Sequence, residues 1–222
     1  MGEAVGGSVG YALAIAISPI PIAALILTLL SVRPRSSSIA FTTGWIAGIV
    51  AVASIAVATG LFDAGDEPSD RRGGIRLTIG AILVLAAVRR WRTRPGPDVV
   101  RASPPLMRAI DGAGPRRVLG IGFALAALNP KDMLLAAAGG AEIASTDLSD
   151  GSTVATLVVF TMIAASTAII PVGTYLVAGD RLDDRLHHAR DALIRHNPVV
   201  MAVVLAAVGA LFVAEGIQIL WG

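Results

Sequence analysis

The sequence predicts an all-α membrane protein with six transmembrane helices. Of its 222 residues, 55% are hydrophobic and only 15% are charged, and the mean hydropathy is +0.73. The apolar residues form long continuous blocks instead of the spaced stripe of an amphipathic surface helix. Six blocks of about 20 residues, the length that crosses a bilayer, fill the chain, so a single transmembrane domain over residues 1–222 is expected.

The predicted spans follow the chain in order. They cover residues 4–30, 39–62, 75–88, 118–139, 153–178 and 198–221. The first block begins after Met1, Gly2 and Glu3, which lack the positive charge of a cleavable signal peptide, so we expect it to remain as a helix. The third is the shortest, and its Arg76 must reach an interface. Arginine and proline dominate residues 89–117, which predicts a solvated cytoplasmic linker.

The connections between the spans predict the orientation, because basic residues near helix ends are retained on the cytoplasmic side. The first, third and fifth loops contain fourteen arginines. The second loop has only Arg71 and Arg72 among four acidic residues, and the fourth has no basic residue. We therefore expect a multi-pass protein of the inner (plasma) membrane with both termini extracytoplasmic. Anionic lipid, and not nucleic acid, then explains the basic pI of 9.7.

Several kinds of chemistry are missing from the sequence. There is no cysteine, which excludes disulfides, thiolate metal sites and dithiol redox activity. His187, His188 and His196 lack the spacing of a closed metal site. No nucleotide-binding motif is present, and no nucleophile–base pair can be assigned within the spans. We predict a protein that is not an enzyme and that needs no cofactor or metal.

The most informative residue is Lys131, the only lysine, which lies within the fourth predicted span. A cation inside a membrane costs at least ~2.5–3.5 kcal/mol, so it persists mainly where it is paired, wetted or used. Asn129, Pro130 and Asp132 add an amide, a helix breaker and an anion at the same depth. These four residues are predicted to form part of a substrate or ion pathway. Asp132 and Glu215 of the last span are both candidate charge partners of the lysine.

An internal repeat relates the two halves of the chain. A shift of 111 residues places Ser18-Pro19 on Asn129-Pro130, and residues 80–84 resemble residues 209–213. A duplicated unit of three helices must enter the membrane upside down in its second copy. The sequence thus predicts an inverted three-plus-three repeat, which is typical of secondary transporters.

Prolines are predicted to break the first and fourth helices near the bilayer midplane. Pro19 and Pro21 have no N–H to donate to the carbonyls of Ile15 and Ile17, and Pro130 has the same effect in the fourth span. We expect the freed oxygens to bind a cation, water or a polar ligand. Ser18 and these prolines therefore join the predicted pathway.

Small and hydroxyl residues in the spans have simpler interpretations. Glycine pairs at four-residue spacing predict helix packing at Gly6 with Gly10 and at Gly44 with Gly48. Hydroxyl groups either line the pathway or satisfy backbone groups within their own helices. The residues concerned are Thr42, Thr43, Thr161, Ser166 and Thr167.

With these motifs the chain resembles the lysine-exporter (LysE) superfamily, and within it the actinobacterial glycolipid-addressing (GAP) proteins, which include the sulfolipid-addressing (Sap) members. The resemblance spans the whole chain, and Asn129-Pro130-Lys131 is its most specific element. It implies an inner-membrane protein that helps cell-envelope lipids reach the surface, with Pro19 and Pro21 as further motif positions. The cysteine-dependent, disulfide-reducing branch is excluded. Metal-exporting branches use acidic clusters, whereas this chain offers Asp132 and Glu215, so divalent-cation export is disfavoured.

The leading hypothesis is a secondary exporter that works by alternating access, with protons as a candidate coupling ion and Lys131 engaging an anionic or polar head group. One alternative is export of a small amino acid or similar solute, which predicts a compact polar cavity in place of a lateral opening. Another is a non-transporting scaffold that assists a lipid-export machine through the arginine-rich loop. Association with that machine or with further copies of the chain fits either lipid hypothesis.

Overall fold

All regular elements in the described part of the chain are α-helices, which confirms the all-α prediction. The structure is a computed structural model that describes residues 1–59, 69–92, 109–110, 112–146 and 148–179, with residue 186 and short stretches between 206 and 221. Seven helices are bounded in these residues. They are α1 (Gly2–Ala16), α2 (Pro19–Leu29), α3 (Pro34–Thr59), α4 (Ser69–Arg92), α5 (Pro115–Ala127), α6 (Pro130–Ala144) and α7 (Asp150–Ala178).

Most helices extend beyond their predicted limits. Helix α4 begins at Ser69 and ends at Arg92, whereas the apolar block alone predicted residues 75–88. Hydropathy identifies only the apolar turns, while backbone hydrogen bonding continues through the flanking arginines. For the same reason α4 and α5 take both ends of the predicted linker 89–117. Glu215, the three histidines and most of the predicted span 198–221 lie outside the described residues.

Two to four candidate membrane spans are present in the described residues. Helices α3 and α7 are each long and apolar enough to cross a bilayer. The α1–α2 and α5–α6 pairs pass the same test only as bent pairs, with bends of 53° and 66°. The chain is therefore a helical membrane protein, and the prediction of six spans goes beyond what these residues show.

The two bends share one local geometry. In each bent pair, two residues interrupt the helix directly after the end of its first half. They are Ile17-Ser18 in one pair and Leu128-Asn129 in the other. The second residue is the N-cap of the next half-helix, with φ and ψ of −71° and 114° at Ser18 and −73° and 114° at Asn129. A proline follows at the first helical position, where its missing N–H costs nothing.

Helices α3 and α5 pack closely through glycines. The chain divides into two compact units, and the first contains Met1–Phe62 and Val100–Arg195. A Cβ atom on Gly44 would meet the backbone at Leu119 and Phe123, and one on Gly48 would lie 2.6 Å from the Cβ of Ala126. The later glycine in α3 meets the later residues of α5, so the two helices run parallel. The packing prediction is thus confirmed for Gly44 and Gly48.

The corresponding prediction for the first helix is not confirmed by the described residues. None of these residues places a heavy atom within 4 Å of a Cβ built on Gly6 or Gly10. Glycine spacing alone does not reveal which face of a helix is covered, because the neighbouring helices decide this. In α1 the residues that are buried include Ala4, Ser8 and Ala12.

The second unit, Asp63–Val99 with His196–Gly222, contains a reciprocal glycine contact. A Cβ on Gly80 would lie 2.7 Å from the backbone nitrogen of Val213 and 2.8 Å from the Gly209 oxygen. A Cβ on Gly209 would lie 2.9 Å from the backbone nitrogen of Val84 and 3.0 Å from the Gly80 oxygen. Gly80 thus meets Gly209 and Val213, and Gly209 meets Gly80 and Val84. Such a reciprocal set of contacts is what a local two-fold axis produces.

Alanine at either glycine is expected to lower the thermal unfolding midpoint of the purified protein by a similar amount. The added methyl group must push two backbones apart, and overpacking of this kind costs ~1–3 kcal/mol. Gly74→Ala is the matched control in the same helix, since nothing lies within 4 Å of its Cβ and alanine favours the helix. A loss at Gly74 as large as at Gly80, or a loss at only one of Gly80 and Gly209, would contradict the reciprocal contact.

Candidate functional site

Four polar side chains from the two breaks meet inside the first unit. Ser18 is the N-cap of α2, Asn129 is the N-cap of α6, and Lys131 and Asp132 lie in the first turn of α6. The side chains of Ser18, Lys131 and Asp132 are almost fully buried, with 0%, 4% and 1% of their residue surface exposed. The structure thus brings together residues that are more than a hundred positions apart in the sequence.

Asp132 is the centre of this polar cluster. Its Oδ2 accepts hydrogen bonds from Ser18 Oγ at 3.1 Å and from Asn129 Nδ2 at 2.8 Å. Its Oδ1 forms a salt bridge with Lys131 Nζ at 3.1 Å. Both N-cap side chains therefore bind the same carboxylate oxygen, and one anion links the two breaks.

Local sequence explains why the N-cap side chains turn toward Asp132. An N-cap side chain normally accepts from the N–H of the second or third helical residue. In α2 the third position is Pro21, which has no N–H, and Ser18 makes no side-chain cap. In α6 the third position is Asp132, so Asn129 binds its carboxylate and also accepts from the Lys131 N–H at 3.3 Å. This is a variant of the reciprocal capping box.

The carbonyl end of α1 holds the lysine. Lys131 Nζ donates to the Ala14 oxygen at 2.7 Å, and Thr167 Oγ1 of α7 donates to the Ala16 oxygen at 2.8 Å. Ile17 N–H donates to Leu13 and Ser18 N–H donates to Ile15, both at 3.0 Å. The last four carbonyls of α1 thus all have donors.

One prediction about these carbonyls needs correction. The Ile15 oxygen, expected to be free because Pro19 cannot donate to it, accepts instead from the N–H of Ser18. The tighter three-residue bond is common in the last turn of a helix and gives this oxygen a donor within its own helix end. The carbonyls that meet polar side chains are those of Ala14 and Ala16.

Helix dipoles support the charges in the cluster. Asp132 lies in the first turn of α6 and accepts from the N-cap of α2, so two positive helix ends favour its negative charge. The ammonium of Lys131 binds the negative end of α1. An ammonium has three N–H donors, and the described residues accept from two of them. One donor is therefore left for another partner.

The structure describes all of the predicted site residues except Glu215. Pro19 and Pro130 occupy the first position of their half-helices and Pro21 the third, as the breaks require. Asp132 is the observed partner of Lys131, while Glu215 lies outside the described residues. Sequence reasoning expected carbonyls of the first helix to be available but missed that those of Ala14 and Ala16 are the ones that bind side chains, because a carbonyl has no residue-specific signal.

The hydroxyl residues divide between the two roles considered for them. Ser166 Oγ donates to the Ile163 oxygen within its own helix, whereas Thr167 reaches across to α1. The hydroxyls of Thr42 and Thr161 are buried and have no hydrogen-bond partner. Of these hydroxyls, that of Thr167 joins the Ser18 hydroxyl at the first break.

A small cavity borders the first break. It has a volume of about 10 Å³ and is lined mainly by apolar groups, including Ile15, Phe41 and Trp45. This is at most enough for one water molecule, which needs ~10–15 Å³. A substrate head group would enter this cavity only after the helices that line it move apart.

Comparison with known protein families agrees with the closest resemblance noted in the sequence. The family model described as Sap, sulfolipid-1-addressing protein, matches residues 9–218. This chain belongs to the Sap family. The matched residues include both breaks and the entire polar cluster of this Sap-family member. No curated protein matches the chain, and no solved structure does so. Membership of the wider lysine-exporter superfamily stays a prediction.

Proposed function

We propose that this Sap-family protein is a secondary exporter that helps an anionic cell-envelope lipid across the inner membrane. The observation that carries the proposal is the buried ammonium of Lys131 at the junction of two broken helix pairs. Buried ionisable groups within membrane spans are expensive and usually functional. The name of the family, which refers to sulfolipid-1, supports a sulfated or otherwise anionic lipid as substrate.

The proposed architecture is an inverted three-plus-three repeat of six spans. Two independent features support it. The breaks at Ser18 and Asn129 have the same length, the same N-cap conformation and a proline at the same position. Gly80 and Gly209, which begin the second pair of similar segments, meet reciprocally. A two-fold axis in the membrane plane would produce both features and would allow each half to open in turn.

The two charged residues of the cluster occur in only one copy of the proposed repeat. In the 111-residue register, Lys131 corresponds to Ile20 and Asp132 corresponds to Pro21. A symmetric scaffold thus carries an asymmetric site, as a protein with one type of substrate requires. Asp132 occupies the position of an anionic ligand on Lys131 when the site is closed. A sulfate or phosphate head group would accept a hydrogen bond from the third N–H of the ammonium, or it would replace the carboxylate as the partner of Lys131.

Asp132 also provides the proposed coupling to protons. It is the carboxylate of the cluster, and its protonation would weaken its hold on Lys131 and free the ammonium for a head group. Release of the head group and loss of that proton would restore the closed pair. The net charge of the buried site would then stay constant through the cycle, which limits the cost of burial.

The surface at the breaks favours a lipid over a small solute. Ile17 and Leu128, the C-cap residues at the two breaks, are 54% and 72% exposed. An apolar side chain therefore reaches the surface at each break. Apolar surface beside a buried charge suits an amphipathic ligand whose tails remain in the bilayer. A small amino acid would require a compact polar cavity, whereas the space at the first break is about 10 Å³ and mainly apolar.

The proposed orientation places both termini outside the inner membrane. It rests on the fourteen arginines of the first, third and fifth predicted loops. In the first unit, Arg33 lines a cavity with Ile110 and another with Tyr175. The chain segments next to all three of these loops therefore meet at one end of that unit, as this topology requires.

Lipid analysis of a deletion strain tests the proposed function. Surface-extractable and whole-cell lipids are compared by mass spectrometry in the deletion strain and after complementation with the wild-type protein. A lipid that stays inside unless the protein is present would identify the substrate class. Unchanged lipids in both strains would overturn lipid export. Restoration of export by Lys131→Ala, which lacks the ammonium, would instead support a non-transporting scaffold.

A further inference from the structure

We propose that Arg33 and Arg35 form a second site, separate from the buried cluster, which binds the anionic head group of a membrane lipid at the surface of the first unit. Both arginines lie where α2 ends and α3 begins. The site deepens the proposed function, since it would be where a lipid substrate is first bound. Its binding activity can be measured without any transport.

The two arginines line a shallow depression at the surface. This open space of about 310 Å³ is bordered by Arg33, Pro34, Arg35, Ser36 and Tyr175. A depression suits a head group whose tails stay outside it better than a ligand that must be enclosed. Arg33 also borders a second cavity of about 160 Å³. Both arginines thus have open space beside them for a ligand.

No described carboxylate neutralises the charge of this cavity. Among the described residues, none with a carboxylate pairs with Arg33 or Arg35, and none lines the larger cavity. Guanidinium groups bind sulfate and phosphate oxygens through paired, charge-assisted hydrogen bonds. Two arginines without a carboxylate partner in the described residues, with a neighbouring hydroxyl group at Ser36, therefore fit a sulfate or phosphate ester.

An exposed apolar residue beside the arginines indicates a lipid as the source of that ester. Val32, which precedes Arg33 and lines the smaller cavity with it, is 89% exposed. In a membrane protein such a side chain fits acyl chains at the interface. A free anion would gain nothing from it, whereas a lipid would bind with its head group on the arginines and its tails along this surface.

Arg116 and Arg117 offer a matched control. They lie in the first turn of α5, which runs parallel to α3, so they are at the same end of the unit as Arg33 and Arg35. They too are exposed, but they line neither cavity. A general attraction of lipid to positive charge would affect both pairs equally, while a built site would involve only the first.

Native mass spectrometry of the full-length protein tests the site. Phosphatidylglycerol is titrated at a salt concentration of about 0.15 M, which screens unspecific attraction. We expect R33Q/R35Q to weaken the tightest phosphatidylglycerol binding about thirtyfold, from the usual contribution of two basic residues near anionic lipid. R116Q/R117Q should change it less than about threefold. Phosphatidylcholine should bind all forms alike.

Each other outcome would overturn the site. Unchanged phosphatidylglycerol binding in R33Q/R35Q would show that the two arginines form no lipid site. Equal losses in both double variants would show that the lipid is attracted only by general surface charge. Competition by glycerol phosphate as strong as that of the lipid would show a site for free anions. R33K/R35K, which keeps the charge, controls for folding and should retain part of the binding. Lys131→Ala should bind this lipid normally, so failure of export and failure of the site can be distinguished.

Discussion

Lys131→Ala is expected to reduce export of the envelope lipid to the level of the deletion strain. The substitution removes the ammonium that binds both the Ala14 carbonyl and Asp132, and the described cluster contains no other cation. An anionic head group would then find no positive charge in the cluster to bind it. The protein should remain folded in the membrane, because Asp132 keeps its bonds to Ser18 and Asn129 and can take up a proton.

Two further variants make this result specific. Arg117→Ala removes an exposed cation outside the cluster and should leave export close to the wild-type level. Lys131→Arg keeps the charge but replaces a compact ammonium with a planar fork, so partial export is expected. All variants are compared at equal protein amounts in the membrane. Normal export by Lys131→Ala would reject the mechanism, and a larger loss in Arg117→Ala would favour the scaffold hypothesis.

The breaks were predictable from the sequence, while most of their partners were not. A proline within an apolar block marks a helix interruption by simple chemistry, and both predicted breaks are present at Ser18 and Asn129. The choice between Asp132 and Glu215 as the charge partner required coordinates. Thr167 gave only the signal of a hydroxyl in a span, and nothing in the sequence showed that it reaches Ala16.

Helix packing shows the same limit of sequence information. Gly44 and Gly48 meet a neighbouring helix, whereas Gly6 and Gly10 with identical spacing meet none in the described residues. The difference arises from which helices surround each face, and this depends on the whole fold. The internal repeat was visible because its proline positions and its glycines are rare features among common alanines and valines. Local chemistry was thus predictable, and long-range pairing was not.

A double variant is expected to restore part of the stability that is lost when either charge alone is removed. Breaking a buried ion pair by removing one partner costs ~3–5 kcal/mol, whereas replacing both partners by apolar residues is often neutral. Lys131→Met and Asp132→Leu should each lower the thermal unfolding midpoint of the purified protein. Asp132→Leu should be the more harmful, because it leaves the ammonium with only the Ala14 carbonyl and deprives Ser18 and Asn129 of their acceptor.

The combination of K131M and D132L separates stability from export. If the pair is coupled as its 3.1 Å distance indicates, the double variant should unfold at a higher temperature than D132L alone. Its export should still be absent, since no cation is left to bind a head group. A double variant whose destabilisation equals the sum of the single effects would show that the two charges act independently. Recovered stability with recovered export would show that the pair is only structural.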